Sequence, residues 1–240
     1  MSLLNTDTEP VIIPGTSAFR GLDPAGCLTL VLVRHGVTAH TMDGLLAGGD
    51  TAGPPLSPQG LQMAQGAAAA LRSLSRVWPE LPPPSCLLVS PMIRTQQTAE
   101  PIAAALGLPV EVDPRLHEIK FGAWHELSIA QVEQQWPGDF YRMYSEGTFA
   151  PPGGESYADT AQRVGAVISE LSLSHLGQTV VIVGHAAMIR AIIGPTLDIP
   201  VAHWSQIRVP PCSISIVRIW PDAYDGLGTT ELVCLGVPTN

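Results

Sequence analysis

Charge is scarce in this chain of 240 residues, and positive charge is scarcer than negative charge. Charged residues make up 14% of the sequence, and 12 lysines and arginines stand against 21 acidic residues, for a formal net charge of −9. Lys120 is the single lysine, so nearly all of the positive charge belongs to arginine. Proteins that bind nucleic acid need a basic face, so we expect no nucleic-acid partner. The chain must concentrate its few cations where it uses them.

Cysteines and long apolar runs are also few. The four cysteines form no C-x-x-C pair and show no metal-ligand spacing, so we expect no metal site. No apolar run reaches the roughly 20 residues of a membrane-spanning helix, and the N-terminus lacks the regions of a signal peptide. We therefore expect a cytoplasmic protein that does not associate with membranes. A secreted form would require a leader that this sequence lacks.

The order of the segments predicts the domain organisation. Residues 1–26 hold polar and turn-forming residues around one short apolar run, and we interpret them as an extended N-terminal arm. Residues 27–240 have no internal repeat or linker, and strand-like and helical patterns alternate along them. This alternation is typical of a single three-layer α/β domain, with a mostly parallel central sheet and helices on both faces. Near the C-terminus, runs at 213–220 and 231–235, on either side of Asp225-Gly226, predict two antiparallel edge strands.

Three short apolar runs end in side chains that can do chemistry. The run at 28–33 leads into Arg34-His35-Gly36, the run at 86–89 leads towards Arg94, and the run at 179–183 leads into His185. Such runs are typical of buried parallel strands, and α/β sheets bind ligands beyond the carboxyl ends of their strands.

If these strands are neighbours, two arginines and two histidines meet in one crevice. Arginines bind phosphate-type anions with forked geometry, and histidines serve as acids, bases or nucleophiles. The alternative is a Rossmann-like binding domain in which the basic residues are incidental.

Two serine-proline pairs predict helix starts. In Ser57-Pro58 and in Ser90-Pro91 a serine occupies the N-cap position and a proline the first helical position. The second pair places Arg94 in the first turn of a helix, where the backbone favours anions.

Six segments in order resemble the histidine phosphatase superfamily, which includes cofactor-dependent phosphoglycerate mutases and broad-specificity phosphatases. They begin with Arg34-His35-Gly36-Val37-Thr38 and continue at 56–60, 90–99, 116–124, 152–156 and 184–190. One such segment is weak evidence, but six in order across residues 28–220 are specific. The resemblance implies a phosphoglycerate mutase-like fold and points to the broad-specificity phosphatase branch.

The resemblance also implies a phosphohistidine mechanism that requires neither metal nor cofactor. His35 would attack phosphorus, and Glu118 would protonate the leaving oxygen and then activate water. Arg34, Arg94 and His185 would clamp the phosphoryl oxygens, with help from the backbone that follows His185, at Ala186. Neighbouring arginines should lower the pKa of His35 and keep its ring neutral.

The chain departs from the family pattern around the nucleophile. Thr41 stands six residues after His35, where many members have a phosphate-binding asparagine, so a hydroxyl would bind phosphate in its place. Many members continue with Gly-Arg-x-Gln-Gly, whereas this chain reads Gly44-Leu45-Leu46-Ala47-Gly48. The apolar wall favours a substrate with an apolar portion over a small polyanion. Residues 121–150 carry only Arg142, where mutases carry paired arginines, which disfavours mutase activity.

The sequence therefore predicts a metal-independent phosphomonoester hydrolase that acts on a small phosphorylated metabolite. Sugar phosphates, nucleotides and ribazole phosphate all fit this branch. One alternative is a phosphoglycerate mutase-type phosphoryl transferase, and another is a catalytically silent phosphate-binding protein. The sequence leaves open whether the protein forms a homodimer.

Overall fold

The computed structural model describes residues 26–221 and 228–239. The N-terminal arm that we predict at 1–26 lies outside the described residues except for its last position. Asp225-Gly226, between the two C-terminal strands, also lies outside them.

The described strands form one six-stranded sheet in the order β3-β2-β4-β1-β5-β6. The first four are mutually parallel, β5 runs antiparallel to β1, and β6 runs antiparallel to β5. The predicted mostly parallel sheet is therefore confirmed. The strands are β1 (Leu28–Arg34), β2 (Pro84–Val89), β3 (Glu111–Val112), β4 (Thr179–Gly184), β5 (Ile214–Trp220) and β6 (Thr229–Val237).

Helices cover both faces of the sheet, which confirms the three-layer architecture. Helices α2, α3 and α4 pack on one face, and helices α5 to α8 pack on the other. None of the described helices is both long and apolar enough to cross a membrane. The helices are α1 (Ala39–Asp43), α2 (Pro58–Arg72), α3 (Leu74–Val77), α4 (Ile93–Leu106), α5 (Ile129–Gln135), α6 (Asp139–Glu146), α7 (Tyr157–Ser174) and α8 (Ala186–Thr196).

The residues of β1 divide between two hydrophobic cores. Leu30 and Leu32 pack in the core that contains α7 and α8, whereas Val31 and Val33 pack in the core that contains α2 and α4. Successive side chains of a strand point to opposite faces. Because both faces are covered, the strand reads as a continuous apolar run rather than an alternating one.

The prediction that both C-terminal strands lie at an edge is wrong for β5. This strand pairs along β1 from Leu28↔Ile219 to Val33↔Ile214, and its other side pairs with β6. Its side chains are almost all buried. A strand buried in this way needs hydrogen-bond partners on both sides, so β6 takes the edge position.

One of the two predicted helix caps is confirmed. Ser57 caps α2 by accepting a hydrogen bond from the backbone amide of Gly60 at 3.1 Å, with Pro58 at the first helical position. The cap at Ser90 is wrong, because α4 begins at Ile93 after Met92 and has no side-chain cap. The Ser90 hydroxyl instead lies 2.7 Å from a histidine on another element, described below.

Candidate active site

The carboxyl ends of β2, β4 and β1 lie side by side at one edge of the sheet. Arg34 ends β1 and pairs with Gly184 at the end of β4. His35 directly follows β1, and His185 directly follows β4. Arg94 lies in the first turn of the helix that follows β2. The structure therefore brings these four side chains together, as the parallel arrangement predicts.

Gly36 lets the chain leave β1 in close contact with α2. A Cβ atom at Gly36 would collide with the carbonyl oxygen of Gly60, and one at Gly60 would collide with the carbonyl oxygen of Val37. The Gly36 amide donates to the Thr98 hydroxyl at 3.1 Å. This backbone-to-backbone contact fixes the turn that carries His35.

His35 is held as a neutral ring with an unprotonated Nε2. Its Nδ1 lies 2.7 Å from the carbonyl oxygen of Gly36, which can only accept, so Nδ1 carries the proton. Its Nε2 accepts a hydrogen bond from Nε of Arg94 at 3.2 Å. Burial lowers the pKa of His35 well below its usual value, and the charges of Arg94 and Arg34 lower it further. The nitrogen that faces Arg94 is therefore unprotonated at neutral pH.

The site also holds two guanidinium groups, that of the buried Arg94 and that of the half-buried Arg34. Arg34 donates from Nη1 to the carbonyl oxygen of Val209 at 2.7 Å, and Arg94 donates from Nη2 to that of Ala47 at 2.9 Å. Nε of Arg34 and Nη1 of Arg94 are buried without a protein partner. Burial lowers the pKa of Arg94 to about 10, so the group stays cationic at neutral pH. Buried cations with spare donors favour an anion.

His185 lies against the ring of His35 and is fully buried. Its ring centre is 5.2 Å from that of His35. Its Nε2 lies 2.7 Å from the hydroxyl of Ser90, and its Nδ1 has no protein partner. Burial, followed by the charge of Arg94, lowers the pKa of His185 well below its usual value. If the Ser90 hydroxyl donates to Nε2, the neutral ring carries its proton on Nδ1 and can donate it to an oxyanion.

The carboxylate of Glu118 binds the N-terminus of α8. Oε1 accepts from the amides of Ile119 at 3.0 Å and Met188 at 3.3 Å, and Oε2 accepts from the amide of Ala187 at 3.3 Å. An acidic group is stabilised at a helix N-terminus by the backbone dipoles. The amides of Ala187 and Met188 are therefore hydrogen-bonded to Glu118. Ala186, which we predict to bind phosphate, does not line the cleft.

A cleft of about 260 Å³ extends from His35 to Glu118. His35, Arg34, Arg94 and Glu118 line its inner part. Three departures from the family pattern, Thr41, Leu45 and Ala47, also line the cleft. The other lining residues are Thr38, His40, Gly44, Leu46 and Phe121. His185 does not line the cleft and is covered by His35 and Ser90.

Some hydrogen bonds of the site could not be predicted from any pattern in the sequence. Ser90 pairs with His185, and Asp50 accepts hydrogen bonds from the amides of Phe121 and Gly122, each at 2.9 Å. Both side chains reach across the fold to hold a segment of the site. Among the described residues, no group of three or more His, Cys, Asp or Glu side chains is arranged to hold a metal ion.

Known proteins are similar to this chain in both sequence and fold. A bifunctional protein of Mycobacterium tuberculosis is 29% identical over 226 residues, which make up 94% of this chain and 58% of that protein. Glucosyl-3-phosphoglycerate phosphatase of Mycobacterium tuberculosis is 33% identical over 187 residues, which make up 74% of this chain and 79% of the relative. The solved structure of a mycobacterial glucosyl-3-phosphoglycerate phosphatase has a TM-score of 0.77 at 28% identity and covers 88% of this chain and 99% of its own.

The extent of these matches decides the family. This chain spans somewhat more than half the length of the bifunctional relative. A sequence model of the histidine phosphatase superfamily (branch 1) matches residues 30–228, and this range contains all the residues of the site described above. The chain therefore belongs to branch 1 of the histidine phosphatase superfamily.

Proposed function

We propose that this protein is a phosphomonoester hydrolase that works through a phosphohistidine at His35. The observation that carries the proposal is the placement of the His35 Nε2 lone pair beside the buried guanidinium of Arg94, in a cleft that Glu118 also lines. Phosphoryl transfer depends mainly on positioning and on neutralising the charge of the phosphoryl oxygens. The buried Arg94 and the half-buried Arg34 supply that charge without a metal ion.

The reaction takes place in two steps. Nε2 of His35 attacks phosphorus, the bond from phosphorus to the ester oxygen breaks, and Glu118 gives its proton to the departing oxygen. Arg34 and Arg94, which line the cleft and each have a spare N–H group, donate to the phosphoryl oxygens. Glu118, now ionised, takes a proton from water, and the water oxygen attacks phosphorus. The bond between phosphorus and Nε2 of His35 then breaks, which returns the lone pair to the neutral ring and releases inorganic phosphate. General acid-base help of this kind contributes about a hundredfold to ten thousandfold in rate.

The substrate that we propose is a small cytoplasmic phosphomonoester with an apolar portion. Leu45 and Ala47 line the cleft at positions where many family members have an arginine and a glutamine. One relative is a glucosyl-3-phosphoglycerate phosphatase, which supports hydrolysis of a phosphorylated metabolite. The free thiols of Cys86, Cys212 and Cys234 agree with a reducing compartment.

Mutase activity has less support. Arg142, which is the only arginine between residues 121 and 150, is engaged on α6 by Glu146 at 2.9 Å and Asp139 at 3.1 Å. It is therefore bound to its own helix rather than free for a second anionic group. A phosphoglycerate mutase would show activity that depends on 2,3-bisphosphoglycerate, which we do not expect here.

Phosphate release tests the proposed function. Wild type and His35→Ala would be assayed on a panel of aryl, sugar and nucleotide phosphomonoesters in the presence of EDTA. We expect chelator-resistant release that disappears in the variant and is fastest on substrates with an apolar group. No release from any substrate would contradict the proposal and favour a phosphate-binding protein. Release that EDTA abolishes would contradict the metal-independent mechanism.

A further inference from the structure

Glu118 lies in a segment that has no regular secondary structure. Residues 117–121 form neither helix nor strand, between a short 3-10 turn at Pro114–Leu116 and another at Gly122–Trp124. Such a segment has no hydrogen-bond ladder of its own to fix its position. The carboxylate itself is held by the amides of Ile119, Ala187 and Met188. The position of its backbone depends on contacts from neighbouring elements.

Arg163, on α7, holds the segment before Glu118. Its Nη1 donates to the carbonyl oxygens of Arg115 at 2.6 Å and His117 at 3.0 Å. Its Nε and Nη2 donate to the two carboxylate oxygens of Glu155, at 3.2 Å and 2.8 Å. The planar guanidinium has its donors in a fixed fork, so it sets the distance between the segment and α7.

Glu155 holds the segment after Glu118. Its Oε2 accepts from the amide of Lys120 at 3.1 Å, and its own amide donates to the carbonyl oxygen of Lys120 at 2.8 Å. The side chains of Arg163 and Glu155 are only 14% and 17% exposed. One ion pair thus holds the backbone on both sides of Glu118, at His117 and at Lys120.

We propose that Arg163 and Glu155 are positioning residues for Glu118, an inference that rests on the proposed acid role of Glu118. Neither side chain lines the cleft. The pair acts by keeping the carboxylate within reach of the leaving oxygen. A displacement of about 1 Å in a reacting group can cost about a hundredfold in rate.

The test compares two aryl phosphates on one preparation of the full chain. Nitrophenolate leaves phosphorus without a proton, whereas phenolate needs one. For Arg163→Lys we expect kcat/KM to fall about a hundredfold on phenyl phosphate and much less on nitrophenyl phosphate. Since kcat/KM reports the steps up to loss of the leaving group, later hydrolysis of the phosphoenzyme does not enter it. A preparation that is partly misfolded lowers both values equally and leaves their ratio unchanged.

Arg218→Lys is the matched control. Arg218 donates to Glu231 at 3.2 Å across β5 and β6, and its side chain is 12% exposed, much like that of Arg163. It contacts no part of the segment that carries Glu118. We expect the ratio of the two kcat/KM values in Arg218→Lys to match that of wild type.

Two further variants make the outcome decisive. In Arg163→Lys combined with Glu118→Gln, we expect no loss on phenyl phosphate beyond that of Glu118→Gln alone, because the lysine variant acts through the carboxylate. Glu155→Gln tests the same contact if Arg163→Lys does not fold, and we expect the same bias against phenyl phosphate. An unchanged ratio in the folded variant, while Glu118→Gln shifts it, would overturn the positioning role and leave the proposed function intact. An unchanged ratio in Glu118→Gln itself would overturn both.

Discussion

Arg94 and His35 are joined by a 3.2 Å hydrogen bond from the guanidinium Nε to the imidazole Nε2. The same guanidinium is fixed through Nη2 on the carbonyl oxygen of Ala47 at 2.9 Å. A buried cation beside this nitrogen opposes its protonation, which is why the charge of Arg94 lowers the pKa of His35. Arg94 therefore adds to the effect of burial in keeping the ring of His35 neutral.

His35→Ala should abolish turnover because it removes the attacking nitrogen and leaves the sheet intact. The measurement is phosphate release, together with trapping of an acid-labile phosphoenzyme after a short reaction. His203→Ala is the control, since this exposed histidine contacts Gln206 away from the cleft. A His35→Ala variant with wild-type activity would rule out the phosphohistidine mechanism.

Glu118→Gln should slow the release of poor leaving groups by about a hundredfold to ten thousandfold, the usual contribution of a general acid. Nitrophenyl phosphate should lose much less in kcat/KM, because its leaving group needs no proton. Glu111→Gln, on the exposed short strand β3, should leave both substrates unaffected. Equal losses on both substrates would remove Glu118 from the acid role.

Stability should fall as the pH drops below about 6.5, the ordinary pKa of histidine. His35 and His185 have lowered pKa values in the folded chain, so the unfolded chain binds more protons in this range. Their contribution to stability is present above that pH and is lost as the pH falls towards the folded-state pKa values. Each histidine contributes a slope of about 1.4 kcal/mol per pH unit between its two pKa values.

Urea unfolding at several pH values between 5 and 8 measures this slope. In His35→Ala the dependence of the unfolding free energy on pH should be shallower by about 1.4 kcal/mol per pH unit below pH 6.5. His203→Ala is again the control and should retain the wild-type slope. Identical slopes in wild type and His35→Ala would show that the ring is not held neutral by the fold.

Thr41→Val should weaken substrate binding without removing catalysis. The Thr41 hydroxyl lines the cleft and lies 3.0 Å from the hydroxyl of Thr38. A neutral hydrogen bond contributes about 1 kcal/mol, so KM should rise about fivefold with little change in kcat. Thr230→Val removes a hydroxyl bonded to Thr196, far from the cleft, and should leave KM unchanged. An unchanged KM in Thr41→Val would exclude a contact between this hydroxyl and the substrate.

The position of the site could be predicted from the sequence because parallel strands share an edge. The apolar runs before Arg34, Arg94 and His185 indicate buried strands, and their carboxyl ends must meet if the strands are neighbours. The structure confirms that β2, β4 and β1 are adjacent. The assignment of individual roles to these residues stays a prediction until the variants are measured.

Some features were wrongly predicted because a local pattern has more than one use. Ser90-Pro91 has the same form as Ser57-Pro58, yet only Ser57 caps a helix. Ser90 is buried next to His185, 95 positions away in sequence. Its hydroxyl is a hydrogen-bond partner for a buried imidazole nitrogen, which would otherwise be unpaired. The edge position of β5 was wrong for a related reason, since strand order depends on pairing between distant segments.

The sequence by itself determined the strands, the cap of α2, the family and which side chains lie where the strands end. These features depend on residue type and on the spacing of residues that are close in sequence, and neither depends on how the rest of the chain packs. The tertiary structure alone decided that the amides of Ala187 and Met188 serve Glu118, and that Arg163 grips the segment before it. Hydrogen-bond partners depend on which surfaces pack together, and that packing minimises buried unpaired polar groups over the whole fold.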